Sequence, residues 1–454
     1  MKNTHKTDDT GPISVPARRI TRLSHIGALT AGVATNMALS GVVQLGQGKR
    51  PSLHDLLLTP ANIKRVSAQL AQMRGAAMKI GQLISMGTDD VLPPELSQIL
   101  APLRDNAHPM PPIQLKNVLN TEWPLHWLKS FKNFDVRPIA AASIGQVHRA
   151  QLKDGRDLAI KVQYPGVAKS IDSDVANIGF LIRVSGLLPE GFGLASYLEE
   201  GRKQLHKETN YIREATQLER FSGLLKDMKQ FIVPELHEDW STQNILAMTY
   251  VEGVQIDGLS EETQAVRDQV AKDLIDLTIN ELFVFGVMQT DPNFANYRYQ
   301  LNNQRIVLLD FGATHEIAPL IMQSYRDLMI AGLTGNDVAL EKIIMRIGFV
   351  DSKTTEKHRK QIIHMVKLVF GTLLDRRYVD FADTKLALGL QLKAMALAKD
   401  GFSPPPLPID VLLLQRKLGG MFFLASKLAA RVDIMSLLEG AIKEVAQHVP
   451  HAMR

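Results

Sequence analysis

Gln289-Thr290-Asp291-Pro292-Asn293-Phe294-Ala295-Asn296 sets an asparagine five positions after an aspartate, and Ile306-Val307-Leu308-Leu309-Asp310-Phe311-Gly312 then delivers a second aspartate, 14 residues beyond Asn296, from an apolar strand to a tight turn. Each stretch has a bland reading when taken alone. Asp-Pro-Asn is good turn chemistry, and a strand can end in Asp-Phe-Gly by chance. The order and spacing are harder to dismiss. They suit a loop that presents a carboxylate (Asp291) to an attacking group, and an amide oxygen (Asn296) and a carboxylate (Asp310) to Mg2+ bridging phosphate oxygens.

Working outward, Leu158-Ala159-Ile160-Lys161 ends an apolar strand in a lysine, the pattern that puts an ammonium on nucleotide phosphates. A lysine closing a strand is by itself an ordinary solvated edge. Downstream, Glu208 and Glu214 lie in one helical stretch, and either can pair with a lysine. Counting back from Val147, the glycine frame of a phosphate-covering loop falls on Ala140, Ala142 and Gly145, within Ala140-Ala141-Ala142-Ser143. Alanine does not take positive φ cheaply, and its methyl blocks backbone approach to phosphates. Nucleotide pose and selectivity are therefore expected to differ from those of a protein kinase. The spacing to Lys161 argues against Ala140–Ala142 being merely the start of a strand. Together these residues point to phosphoryl chemistry on ATP with Mg2+, which needs charge neutralisation and in-line positioning rather than covalent catalysis.

Composition narrows the alternatives. The chain has 454 residues, a net charge of +5, 45% hydrophobic and 22% charged residues, and no cysteine. Those fractions exclude a disordered, collagenous or polytopic membrane chain. The missing cysteines exclude disulfides, thiolate metal sites and cysteine nucleophiles. Scattered histidines lack the spacing of a metal motif, and no nucleic-acid motif is present, so nucleotide phosphates and anionic lipid suit the mild basic surplus. The polar start, Met1 to Asp9, fits neither a signal peptide nor a clear transit peptide. The uncharged stretch His25 to Gln47, diluted by small and polar residues, is marginal as a spanning helix and reads as a small-residue helix packed on protein, with membrane insertion as the alternative. A cytoplasmic protein, peripheral at the inner membrane, is the expectation.

Periodicity gives the organisation. Residues 1–15 read as a disordered tail, 16–130 as an N-terminal helical extension, 131–255 as a small lobe with inserted helices, and 256–454 as a large helical lobe. Apolar positions at helical spacing run from Ser52 to Leu103. A β-hairpin between Ile139 and Val162 turns at Lys153-Asp154-Gly155. Further strands are expected at Phe231–Val233, Ile245–Tyr250 and Ile306–Leu309, with helices over Ile171–Phe221, broken near Leu188–Gly191, and over Glu261–Phe285. Ala313-Thr314-His315-Glu316 is expected to run straight into helix, leaving little room for an activation loop. Trp123 and Trp127 are assigned to core packing, and Gly419–Ala425 to a buried helix. This mixture is α+β with two lobes.

Several motifs resemble a known family. Lys79-Ile80-Gly81-Gln82 is similar to the KxGQ motif of the UbiB (AarF/ADCK) protein-kinase-like family, and Ala140 to Val147 to its alanine-rich loop. Gln163-Tyr164-Pro165-Gly166-Val167 and Met288 to Asn293 resemble the branch with the mitochondrial atypical kinase of coenzyme Q biosynthesis. The resemblance covers about residues 15–440. It implies a kinase-like fold with the extension packed over the site where protein kinases admit peptide, a contact between Lys79 and Glu208, and a pair between Lys161 and Glu214. It implies that Lys79, Gln82, Ala140, Ala142, Ser143, Gly145, Val147, Lys161, Glu208 and Glu214 serve ATP, that Asn296 and Asp310 hold Mg2+, and that Asp291 and Lys161 act in catalysis. The implied activity is that of an ATPase supporting ubiquinone biosynthesis, with little protein phosphorylation in trans. Its implied partners are a lipid or quinone precursor and other quinone-biosynthesis proteins, with a homodimer as one option. The family's ExD motif is degraded here: Glu208-Thr209-Asn210 carries an amide where the family has a carboxylate. A scaffold or lipid-binding module that uses nucleotide only as a switch is the alternative.

Overall fold

The computed structural model describes residues 75–77, 79–81, 109–142, 144–185, 194–376 and 378–448. The tail at 1–15, the stretch 25–47, most of the 52–103 periodicity, Gln82, Ser143 and the break at 188–191 lie outside them. Along the chain run α1 (Pro112–Glu122), β1 (Phe131–Phe134), β2 (Ala140–Ala141), β3 (Gly145–Leu152), β4 (Asp157–Gln163), α2 (Val167–Ser185), α3 (Leu194–Glu208), α4 (Tyr211–Leu224), β5 (Phe231–Ile232), β6 (Ile245–Thr249) and β7 (Val254–Gln255). There follow α5 (Gln264–Asn280), β8 (Val287–Gln289), β9 (Tyr297–Gln300), β10 (Arg305–Leu308), β11 (Thr314–Glu316), α6 (Pro319–Leu333), α7 (Asp337–Ile347), α8 (Glu356–Asp375), β12 (Val379–Asp380), α9 (Lys385–Lys399), α10 (Ile409–Lys427), β13 (Arg431–Val432) and α11 (Ile434–His448).

Two compact units emerge. The first takes the described residues up to Thr216 together with Glu235–Tyr250. Its sheet runs in the order β1-β3-β4-β6, and β2 shares the β1 edge of β3. The β3–β4 hairpin predicted from the alternating sequence is present, with Val147 opposite Lys161. Six of the seven residues of β4 are buried, because both of its faces are covered. Leu158, Ile160 and Val162 face an aromatic cluster around Trp123 and Phe131. The two-residue period of a strand turns Lys161 to the opposite face. There, Leu205 and Tyr211 pack with Leu246. Trp123 stands within 5.0–5.5 Å of the Trp127, Phe131 and Trp240 rings. Its indole N–H donates to the Trp240 carbonyl at 3.1 Å, so the bulky ring is buried without leaving a polar atom unpaired.

The second unit comprises Gln217–Pro234 and the chain from Val251 onward. Its sheet runs β5-β10-β9-β7, with β10 parallel to β5 and antiparallel to β9. A helical core surrounds Leu282, Phe283, Ile321, Leu340, Ile343 and Leu414. The expected helix over Glu261–Phe285 begins at Gln264 and widens at its end into a π turn, Glu281–Phe285. Gly286, in the left-handed region, closes it. The expectation that Ala313–Glu316 runs straight into helix is corrected: Thr314–Glu316 form β11, antiparallel to β8, and α6 starts at Pro319. The Gly419–Ala425 run does lie in a helix, but only partly inward: Met421, Leu424 and Ala425 are buried while Phe422 and Phe423 are exposed. Among the described residues no helix is long and apolar enough to cross a membrane.

Asp273 of α5 is buried, and its burial raises the carboxyl pKa from 3.8 to about 6. Gln269 donates a 2.8 Å hydrogen bond that offsets part of this. Below about pH 4 the group is protonated in both the folded and unfolded chain and costs nothing. Between pH 4 and 6 it ionises only in the unfolded chain, so stability falls as pH rises, and above pH 6 the penalty is complete. The raised pKa corresponds to at most about 3 kcal/mol, which solvent screening reduces. Asp273→Asn should therefore raise the melting temperature at pH 8 and leave it nearly unchanged at pH 4. An equal effect at both would refute this account.

Candidate functional site

Within the first unit, β4 carries Lys161 and α4 carries Glu214, and Lys161 Nζ lies 2.6 Å from Glu214 Oε1. Both side chains are almost fully buried, and the ammonium also sits 5.2 Å from the Tyr211 ring. A second buried ion pair joins Lys79, helical like its neighbours Ile80 and Gly81, to Glu208 at the end of α3. Between the two glutamates the chain turns a corner. Asn210 caps α4 there, its Oδ1 accepting the Arg213 N–H at 3.1 Å. Its amide oxygen is thus engaged in holding the corner between Glu208 and Glu214. From β4, Gln163 Nε2 donates to the Thr209 carbonyl at 2.7 Å and ties the strand to the same corner.

The alanine-rich segment is more regular than a phosphate-covering loop. Ala140 and Ala141 pair with Val147 and Gln146 as a short strand, and the Ala142 N–H closes on the Gly145 carbonyl at 2.9 Å. The reading of Ala140–Ala142 as a loop rather than a strand start is corrected to this extent. Gly145 is fixed by close approach, since a Cβ there would stand 2.3 Å from the Val162 carbonyl oxygen. The glycine spares β4 a collision with β3 directly beside Lys161's strand.

Within the second unit, β8, β9 and β10 bring Asp291, Asn296 and Asp310 together. The Leu309 N–H donates to the Asn296 carbonyl at 3.0 Å, so the residue preceding Asp310 is stitched to Asn296. Asn296 Nδ2 donates to the Asp291 carbonyl at 3.2 Å, which settles its amide with the oxygen directed elsewhere. Asp310 Oδ1 accepts the Gly312 N–H at 2.9 Å, and Phe311, fully buried, contacts the Phe221 ring at 5.1 Å. A carboxylate and an amide oxygen are hard donors suited to Mg2+, which takes one or two carboxylates and completes its shell with phosphates and water. The residues present fit that ion.

Sequence reading missed what holds this loop. Arg416, buried in α10, donates from Nη2 to Asp291 Oδ1 at 2.7 Å. Its neighbour Lys417 pairs with Glu281 at 3.2 Å, both side chains 1% exposed. Burial alone pushes the Lys417 pKa down, but the Glu281 carboxylate and Tyr297 hydroxyl more than offset it, and the lysine is held above its ordinary value. Burial pushes the Glu281 carboxyl up, opposed by that same ammonium. A signal was available: Arg416 and Lys417 fall within the inward stripe of Leu413, Leu414, Met421 and Leu424, where helical spacing calls for apolar residues.

Residues 102–344 match the model of the ABC1 atypical kinase-like domain. Atypical kinase COQ8, mitochondrial, of Saccharomyces cerevisiae is 35% identical over 437 residues, covering 96% of this chain and 87% of that protein. Atypical kinase COQ8B, mitochondrial, of Danio rerio is 33% identical, covering 93% of this chain and 68% of the relative. Among solved structures, Rv3197 of Mycobacterium tuberculosis, determined as a complex with erythromycin, superposes with a TM-score of 0.59 at 22% identity over 82% of this chain and 93% of that one. It shares the fold. The α+β architecture is therefore kinase-like, and the chain belongs to the ABC1 atypical kinase-like family, which includes the UbiB and COQ8 proteins.

Proposed function

We propose that the chain binds Mg-ATP and turns it over as an atypical kinase-like ATPase supporting ubiquinone biosynthesis, with restricted or no phosphorylation of proteins in trans. The observation that carries this reading is the stitching of Leu309 to Asn296, which sets the Asp310 turn beside the Asp291–Asn296 loop. Lys161, held by Glu214, neutralises phosphate charge. Asn296 and Asp310 hold Mg2+, whose charge stabilises the transferring phosphoryl group. Asp291 orients a water or hydroxyl for in-line attack. Ala140, Ala142, Ser143, Gly145 and Val147 form the phosphate cover. Lys79, Gln82 and Glu208 fix the KxGQ stretch, and the buried Lys79–Glu208 pair supports a tethered extension that keeps peptides out.

Phosphate release by the pure protein with vesicles or a quinone-precursor mimic is the test. Asp291→Ala should lower turnover by about 100-fold while leaving nucleotide binding intact. Full turnover in that variant would remove Asp291 from the mechanism. If the wild type never exceeds Asp310→Asn, the switch-driven scaffold becomes the better reading. A deletion strain assayed for quinone content checks the biosynthetic role.

Peripheral contact with anionic lipid is a second component, supported by α9. Its Leu388, Leu392 and Met395 are 52%, 67% and 41% exposed and recur at i, i+4 and i+7, on one face. The helix carries three lysines and no acid, the composition of an interfacial helix. Flotation with anionic vesicles should succeed, and Leu388→Asp with Leu392→Asp should abolish it. Unchanged flotation of that variant would place the contact elsewhere.

A further inference from the structure

Helix α10 follows the 291–297 loop residue by residue. Arg416 reaches Asp291, and Lys417 Nζ donates to the Tyr297 hydroxyl at 3.2 Å. At Gly420 an added Cβ would lie 2.3 Å from Pro292 Cβ and Cγ, and the Phe423 ring stacks on Phe294 at 5.7 Å and 16°. These positions recur at i, i+1, i+4 and i+7, so one stripe of the helix makes all the contacts. Behind the loop lies Glu281, first residue of the π turn. Its Oε2 pairs with Lys417 and its Oε1 accepts the Gln289 N–H at 3.1 Å. Gln289 Oε1 in turn accepts the Asp291 N–H at 3.0 Å. The chain of contacts is Lys417, Glu281, Gln289, Asp291.

We propose that α10 is the positioning element of this loop, and that Glu281, seated against Lys417 of α10, is the joint whose acceptor oxygen sets the backbone of Asp291 through Gln289. The proposal rests on the reading that Asp291 serves turnover of ATP. Stability alone does not explain the pair, because apolar residues of similar volume replace a buried ion pair with neutral or favourable effect. What an apolar residue at 281 cannot do is accept the Gln289 N–H, and π turns of this kind recur at functional positions.

The test exploits that difference. Lys417→Met combined with Glu281→Gln removes both charges and keeps an acceptor, whereas Lys417→Met with Glu281→Leu removes the acceptor as well. We expect the Gln variant to keep kcat for ATP within about threefold of wild type and the Leu variant to lose roughly 10- to 100-fold, with KM for ATP unchanged in both. Gly420→Ala, which leaves every charge in place, should lower kcat in the same way by displacing Pro292. Amide exchange across 289–296 reads the loop without reference to activity: faster exchange is expected in the Leu variant and not in the Gln variant. Equal kcat in the two double variants, or equal exchange, overturns the proposal. A wild type that turns over no ATP would sink the functional reading instead, and the exchange comparison would then decide the positioning by itself.

Discussion

Asp310→Asn is expected to reduce Mg2+-dependent phosphate release from ATP by about 100-fold or more, the scale on which losing support for a bound metal acts. The substitution is nearly isosteric. Its amide oxygen can still accept the Gly312 N–H that Asp310 Oδ1 accepts at 2.9 Å, so the turn and the neighbouring Phe311 packing should survive. What disappears is one unit of negative charge, the one that the proposed reading sets against the ion. The matching readout is nucleotide binding: stabilisation of the fold by ATP should lose its dependence on Mg2+, while any stabilisation by ATP in EDTA stays as in the wild type. Wild-type turnover in Asp310→Asn would contradict the metal assignment outright.

Glu214→Ala is expected to destabilise the chain by up to about 3–5 kcal/mol, because it takes a carboxylate away from the buried Lys161 ammonium. The pair is 2.6 Å apart with side chains 8% and 2% exposed, so solvent cannot take over. Lys161→Met in the same background should recover most of the loss, since the offending charge is then gone. Denaturant unfolding of the two single variants and the double gives the coupling directly. If the double variant is as unstable as the sum of the singles, the pair is not an energetic unit. Recovery of stability in the double should be accompanied by loss of nucleotide binding, separating what the lysine does for folding from what it does for ligand.

Local elements were legible in the sequence, and distant support was not. Lys161 lies in a strand that alternation and a Lys153-Asp154-Gly155 turn announce, and the hairpin forms with Val147 opposite Lys161. The Asp310-Phe311-Gly312 turn and the Asp291-to-Asn296 spacing are contained in short windows for the same reason. The strands that were missed, Phe131–Phe134, Val254–Gln255, Val287–Gln289, Tyr297–Gln300, Thr314–Glu316, Val379–Asp380 and Arg431–Val432, are two to four residues long. A period of two cannot be established over so few positions. Arg416 stands 125 residues from Asp291 in sequence, and only tertiary packing brings them together. Glu281 was hidden in Glu281-Leu282-Phe283-Val284-Phe285, which reads as the end of an ordinary amphipathic helix.

The stripe on α10 bears on where this chain can be cut. The stretch matching the family's domain model ends at residue 344, which would tempt one to express a fragment stopping there. Such a fragment would keep Asp291, Asn296 and Asp310 and lose Arg416, Lys417, Gly420 and Phe423. Glu281 would be left as a buried carboxylate with no cation beside it. On the proposed role of α10, the family match stops more than 80 residues short of Lys427, which closes that helix, and a shortened protein found inactive would say nothing about the motifs it retained.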